Sequence, residues 1–178
     1  MPFAVIMYFN AELEKTVRRI WDEMAAAGIS TNCPVLEATP HLTLAMFDEA
    51  DRDKLVEKAG SFAEKRKPID VNFAYVGTFA TDSYIMFLAP TMSRELMEIH
   101  EGLHDALFGM ENSSELYAPE KWSPHCTLTQ RLEPEMLGSV VDILKKYNLP
   151  IKGRLESLGI IEYPPIDELC ILDLTRNE

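Results

Sequence analysis

Residues 40–44 read PHLTL and residues 124–128 read PHCTL, so one pentapeptide differing at a single letter occurs twice in a chain of 178 residues. Only four histidines are present, and two of them occupy the same place in this motif. A shift of 84 positions carries His41 onto His125, and it carries the amphipathic run at 11–27 onto 95–111, close to a second run of the same kind. A repeat of this length constrains a fold more than any single element does. It predicts two similar lobes about a pseudo-two-fold axis, the first over about 1–82 and the second over about 83–178, sharing one core in a single domain of 1–178.

The elements inside each unit follow in the same order. FAVIMYF (3–9) is an apolar run bounded by Pro2 and Asn10, which reads as a buried strand. Leu13, Val17, Ile20, Met24 and Ala27 recur at helical spacing, and Gly28 stands where a C-cap belongs. HLTLAMF (41–47) reads as a strand, 51–66 as a helix on Leu55, Ala59 and Phe62, and PIDVNFAYVGTFA (68–80) as a strand. The second unit gives a strand at 83–89, a helix at 93–109 on Leu96, Ile99, Leu103 and Leu107, and a strand at 125–131. A helix at 134–147 on Leu137, Val140, Val141 and Leu144 comes next, then strands at 151–163 and 168–174 around the turn YPPID. The pattern is β-α-β-α-β written twice, with no low-complexity linker between the copies.

Within a strand, residues two apart share a face. His41 and Thr43 therefore look one way while Leu42 and Leu44 face the core, and His125 and Thr127 stand opposite Cys126 and Leu128. Pro40 and Pro124 sit at the strand starts, where a missing N–H costs the ladder little. Brought together near the pseudo-two-fold axis, the motifs would put two imidazoles and two hydroxyls around one cleft. That set suits phosphodiester chemistry without a metal. A neutral imidazole removes a proton from the attacking water or hydroxyl, and a protonated one gives a proton to the leaving oxygen. The threonine hydroxyls donate to the non-bridging phosphoryl oxygens, where charge builds.

Charge narrows the partner. The net charge is −12, which opposes binding along a polyanion and is compatible with a small phosphorylated ligand held by local donors. Cys33, Cys126 and Cys170 are widely spaced and form no CxxC pair, so they read as small residues of a reducing compartment. The opening MPFAVIMYFN lacks a basic leader segment, and the expected location is the cytoplasm.

PHLTL and PHCTL resemble the paired His-x-Thr-hydrophobic signatures of the two-histidine (2H) phosphoesterase superfamily, which includes 2′-5′ RNA ligase-like proteins and 2′,3′-cyclic nucleotide phosphodiesterases. The resemblance extends over the whole chain. It implies an α+β fold of two lobes with antiparallel sheets around a central cleft, and metal-free hydrolysis of cyclic phosphates or 2′-5′ linkages, with no cofactor. Carried over residue by residue, it makes His41 and His125 the acid–base pair and Thr43 and Thr127 the phosphate binders. Relatives that handle RNA tend to carry basic surface, whereas MENSSELYAPEKW (110–122), just before the second motif, has one basic residue. A small nucleotide or a short oligonucleotide end is the expected partner, rather than long RNA.

Other residues compete for a role. HEGLH (100–104) spells H-E-x-x-H, so His100 and His104 could bind zinc with Glu101 as base, in a peptidase. The longer metzincin pattern fails at Leu107 and Met110, and a third ligand would have to come from Glu115, Glu120 or Glu133. A nucleotide-binding module without turnover is a further alternative. Arg131 shares the strand parity of His125 and Thr127 and could reach a phosphate. Trp122, three residues before His125, is a candidate for contact with a base; Tyr8, Tyr75, Tyr84 and Tyr163 read more readily as core.

Overall fold

Every residue of the first strand, Phe3–Phe9, is buried. Phe3, Val5, Met7 and Phe9 join the main core, while Ala4, Ile6 and Tyr8 join a smaller cluster with Ile161. A strand covered on both faces has no polar side to show, which is why its sequence is uniformly apolar. The computed structural model describes residues 2–29, 39–79, 84–110 and 113–175. In order, the elements are β1 (Phe3–Phe9), α1 (Ala11–Ala26), β2 (His41–Phe47), α2 (Arg52–Ala63), β3 (Ile69–Phe79), β4 (Ile85–Pro90), α3 (Arg94–Ala106), β5 (Cys126–Thr129), α4 (Leu137–Lys145), β6 (Ile151–Glu162) and β7 (Asp167–Asp173). Short 3-10 turns at Glu115–Tyr117 and Pro134–Met136 precede β5 and α4.

The fold is α+β, and all strand pairs are antiparallel. The strand order is β2-β1-β6-β3-β4-β5, with β7 beside β6. Exchanging β1 with β4, β2 with β5 and β3 with β6 turns that order into its own reverse, so the pseudo-two-fold axis passes between β6 and β3. The third strand of each repeat has crossed over: β3 pairs with β4 of the second repeat, and β6 pairs with β1 of the first. Each half of the sheet is thus built from both repeats. β6 is long enough for two neighbours on one edge, giving Ile151–Leu155 to β3 and Ser157–Glu162 to β7. Although β2 and β5 stand at opposite ends of the order, they touch, so the sheet curls until its ends meet.

Among the described residues four helices cover the main core, α1 against α4 and α2 against α3. Asp51 and Ser93 cap α2 and α3 by accepting from the Lys54 and Leu96 amides at 3.2 and 3.1 Å. Asn10, before α1, instead accepts from the Arg154 amide at 2.8 Å and ties the helix start to β6. Gly28 follows α1 at φ 74°, as a C-terminal glycine should. Three helices are shorter than the periodicity predicts. The Lys58 ammonium takes the Ala106 and Phe108 carbonyls at 3.1 and 3.0 Å where α3 ends, and α2 stops at Ala63. The expected helix at 134–147 divides into a 3-10 turn opened by Pro134 and the shorter α4, whose buried stripe is Val140, Ile143 and Leu144. Leu137 and Val141, assigned to that stripe from the sequence, are exposed. No helix among the described residues is long and apolar enough to cross a membrane.

Candidate active site

Both motif strands depart from regular pairing at the same letter. Thr43 lies opposite Ile6 and Ala45 opposite Val5, which leaves Leu44 as the extra residue of a bulge. Thr127 lies opposite Phe87 and Thr129 opposite Met86, which leaves Leu128 in the same role. A bulge re-aims the strand beside it. Here it reverses the side-chain phase after the motif, so Leu44 and Ala45 are both buried, as are Leu128 and Thr129. His-x-Thr before each bulge keeps the alternation read from sequence: His41, Thr43, His125 and Thr127 are half-buried, while Leu42, Cys126 and both leucines belong to the core. Cys33 lies outside the described residues.

The same reversal removes the strand-parity argument for Arg131: the phase flips at Leu128, β5 ends at Thr129, and Arg131 lies exposed beyond it.

The imidazoles are anchored identically. His41 Nδ1 is 2.7 Å from the Thr39 carbonyl, and His125 Nδ1 is 2.7 Å from the Ser123 carbonyl, each two residues back along the chain. A carbonyl only accepts, so each Nδ1 carries hydrogen and the neutral ring keeps its lone pair on Nε2. Burial pushes both imidazoles below the ordinary histidine range, opposed by the bonds to Thr39 and Ser123, and the charge of His125 lowers His41 further.

Their surroundings differ. His125 lies edge-on to Phe79 and tilted against Phe87, with ring centroids at 4.9 and 5.2 Å. His41 borders a depression of about 40 Å³ lined also by Ile6, Tyr8, Thr39, Ile161, Ile166 and Glu168. Within it the Tyr8 hydroxyl donates to Glu168 at 2.5 Å, and burial, reinforced by that carboxylate, raises the phenol well above its usual range. Tyr117 of the first 3-10 turn lies beside Thr43 of β2, and burial raises its phenol as well. Tyr117 and Glu168 were not singled out from the sequence. Only the crossing of strands and turns brings them beside the motif.

Two glycines make room for these aromatics. A Cβ on Gly159 would stand 2.5 Å from Cε2 of Tyr8, and one on Gly77 would overlap the Phe87 ring. Gly77→Ala and Gly159→Ala should therefore drive a ring toward an imidazole. We expect each to cost about 1–3 kcal/mol of stability, read as an earlier denaturation midpoint.

The tryptophans act on the motif backbone. Trp122 Nε1 donates to the Thr43 carbonyl at 2.9 Å, and Trp21 Nε1 of α1 donates to the Thr127 carbonyl at 3.2 Å. Trp122 is thus placed beside the motif, but as a partner of its backbone. One face of its ring is stacked on His100 at 3.8 Å and 3°.

HEGLH is used in the same way. His100 and His104 both point Nε2 at the Leu44 carbonyl, 3.1 Å from each, so both rings must present an N–H there and strap the bulge to α3. Among the described residues no third His, Cys, Asp or Glu joins them as a ligand set. Burial, and then the charge of His104, lowers His100 to about 4. An unfolded histidine binds its proton from pH ~6.5 downward. The folded state should therefore lose stability as pH falls from there through about 4, by roughly 3 kcal/mol once complete. His100→Asn, which keeps an N–H donor and does not titrate, should flatten that limb in urea denaturation followed from pH 7 to 4.

Matching bulges, matching imidazole anchors and a palindromic antiparallel sheet define a two-histidine fold. The chain belongs to the 2′-5′ RNA ligase superfamily, a two-histidine phosphoesterase group, whose family model matches residues 10–165. It is 28% identical over 141 residues to a Bacillus cereus (strain B4264) protein named "putative phosphoesterase", covering 78% of this chain and 72% of that one. Among solved structures it resembles TT0787 of Thermus thermophilus, with a TM-score of 0.67 and 16% identity over 98% of both chains. It also resembles E. coli LigT complexed with 3′-AMP, with a TM-score of 0.61 and 16% identity over 98% of this chain and 97% of that one.

Proposed function

We propose that this chain is a metal-independent phosphodiesterase that hydrolyses 2′,3′-cyclic phosphates or related RNA-end and nucleotide phosphodiesters. The observation that carries the reading is the matched anchoring of His41 and His125. Each Nδ1 is taken by a backbone carbonyl at 2.7 Å, which leaves each Nε2 available to exchange a proton with a ligand. One neutral imidazole accepts a proton from water as the water oxygen bonds to phosphorus. The bond from phosphorus to a ribose oxygen breaks, and the protonated imidazole delivers its proton to that oxygen. The product is a phosphomonoester beside a free hydroxyl, and the pair ends with one proton, as it began. Thr43 and Thr127 donate to the non-bridging oxygens.

A nucleotide-sized substrate is supported by the 3′-AMP bound to the similarly folded LigT, and by a net charge of −12, which disfavours long RNA. The test is a panel of 2′,3′-cyclic nucleotides and 2′-5′ linked dinucleotides incubated with EDTA, with products resolved by chromatography. Turnover of at least one cyclic nucleotide is expected. No product from any member, or turnover abolished by EDTA, would sink the reading.

A further inference from the structure

Trp21 and Trp122 are the chain's only tryptophans, and both donate to the backbone carbonyl of a motif threonine. Each bond runs between repeats. Trp21 projects from α1 of the first repeat to Thr127 of the second, and Trp122 stands before β5 of the second repeat and reaches Thr43 of the first. The two positions are not equivalent, since the 84-residue shift carries Trp21 onto Asp105, which is exposed. Pseudo-symmetry of the chain therefore does not account for the matched bonds. What the indoles share is their target, the last residue before each bulge.

β2 and β5 end the strand order, so among the described residues the outer edge of each has no further strand to pair with, β2 making only a single bridge from Phe47 to Ser113. Water could satisfy an outward carbonyl there, but water leaves its position free. Both indoles are packed against the main core, and Trp122 is held further by the His100 ring. A donor fixed in this way sets the distance between two strands that no ladder joins.

We propose that Trp21 and Trp122 are positioning residues, each holding the threonine strand of the opposite repeat so that both His-x-Thr pairs address a single phosphate. The inference rests on the phosphodiesterase reading for its chemistry. A site whose two halves must meet one small group is sensitive to their separation, and a displacement of about 1 Å can cost on the order of 10²-fold in rate.

Trp21→Phe and Trp122→Phe remove the N–H and keep an aromatic ring. Inorganic phosphate is titrated into each ¹⁵N-labelled protein while the His41 and His125 imidazole resonances are followed, alongside kcat for a 2′,3′-cyclic nucleotide and the melting temperature. Tyr147→Phe serves as control, because it deletes a 2.6 Å bond from Tyr147 to Glu23 of α1, outside the site. In the native protein both imidazoles should follow one phosphate Kd. Each tryptophan variant should weaken that Kd by about 10-fold and lower kcat by about 10- to 10²-fold, whereas Tyr147→Phe should move only the melting temperature. Tryptophan variants that melt earlier yet keep native Kd and kcat would overturn the proposal. Should a variant not fold, the indole N–H resonances of the native protein decide: saturating phosphate must shift both, and unmoved indoles beside responsive imidazoles overturn the proposal alone. Native imidazoles that ignore phosphate overturn it together with the phosphodiesterase reading.

Discussion

His41→Ala and His125→Ala should each lower turnover of a 2′,3′-cyclic nucleotide by about 10²–10⁴-fold, the usual worth of a positioned acid or base. The loss should fall on kcat, because in the proposed mechanism each imidazole moves a proton only as the phosphorus bonds change. Neither change should unfold the chain, since both rings are half-buried and each hydrogen-bonds a carbonyl near the start of its strand, His125 packing in addition against Phe79 and Phe87. The double variant should be scarcely worse than the weaker single one. Once one proton transfer is lost the other has little left to assist, so the effects of paired groups do not add. Thr43→Val and Thr127→Val keep the branched shape that suits the strand before each bulge and remove one hydroxyl donor. They should cost less than the histidine changes, up to about 10²-fold. Steady-state kinetics of the five proteins, each checked for a native melting transition, measure all of this. A His41→Ala protein that folds and keeps native kcat would remove it from the acid–base pair.

The sequence carried the repeat, the element order and the positions of the motif strands because these depend on local periodicity and on letters that recur. β2 begins at His41 and ends at Phe47 as its alternation predicts, since apolar Leu42 and Leu44 alternate there with half-buried His41 and Thr43. The bulges are another matter. Leu44 and Leu128 are buried whether or not the strand is regular, so a run of apolar letters does not show that one residue has lost its partner. From that point strand parity no longer says which way Arg131 faces. The crossing of β3 and β6 between repeats is likewise silent, because a strand's residues specify that its face is buried and not which edge it joins. Tyr117, Glu168 and Trp21 reach the motif only through that topology. HEGLH shows the converse. Its spacing on one face of α3 was legible, but the Leu44 carbonyl that its nitrogens hold is 56 residues away from His100.

The pH dependence should betray the burial of the two imidazoles. The proposed hydrolysis needs one ring neutral and the other protonated, so activity should fall when both are protonated and again when both are neutral. Ordinary histidines titrating near pH ~6.5 would centre such a bell close to neutrality. In this site burial lowers both groups, and the charge of His125 lowers His41 further. Lowered values favour the neutral form, so in the free protein the singly protonated pair is most abundant below pH ~6.5 and already declining at neutrality. The profile of kcat/KM, which reports the free protein, should therefore peak on the acid side of pH ~6.5. A bound phosphodiester brings a negative charge against both rings and favours the imidazolium, so the kcat profile should lie at higher pH than that of kcat/KM. The limbs belong to the coupled pair, and neither apparent value names a residue. His125→Gln, which leaves the chain with one titrating member of the pair, should turn the bell of kcat/KM into a single limb on whatever activity remains. Both profiles should be unchanged by EDTA. A native profile that climbs to a plateau at alkaline pH would mean that activity needs both rings neutral, and an acid–base division between His41 and His125 could not stand.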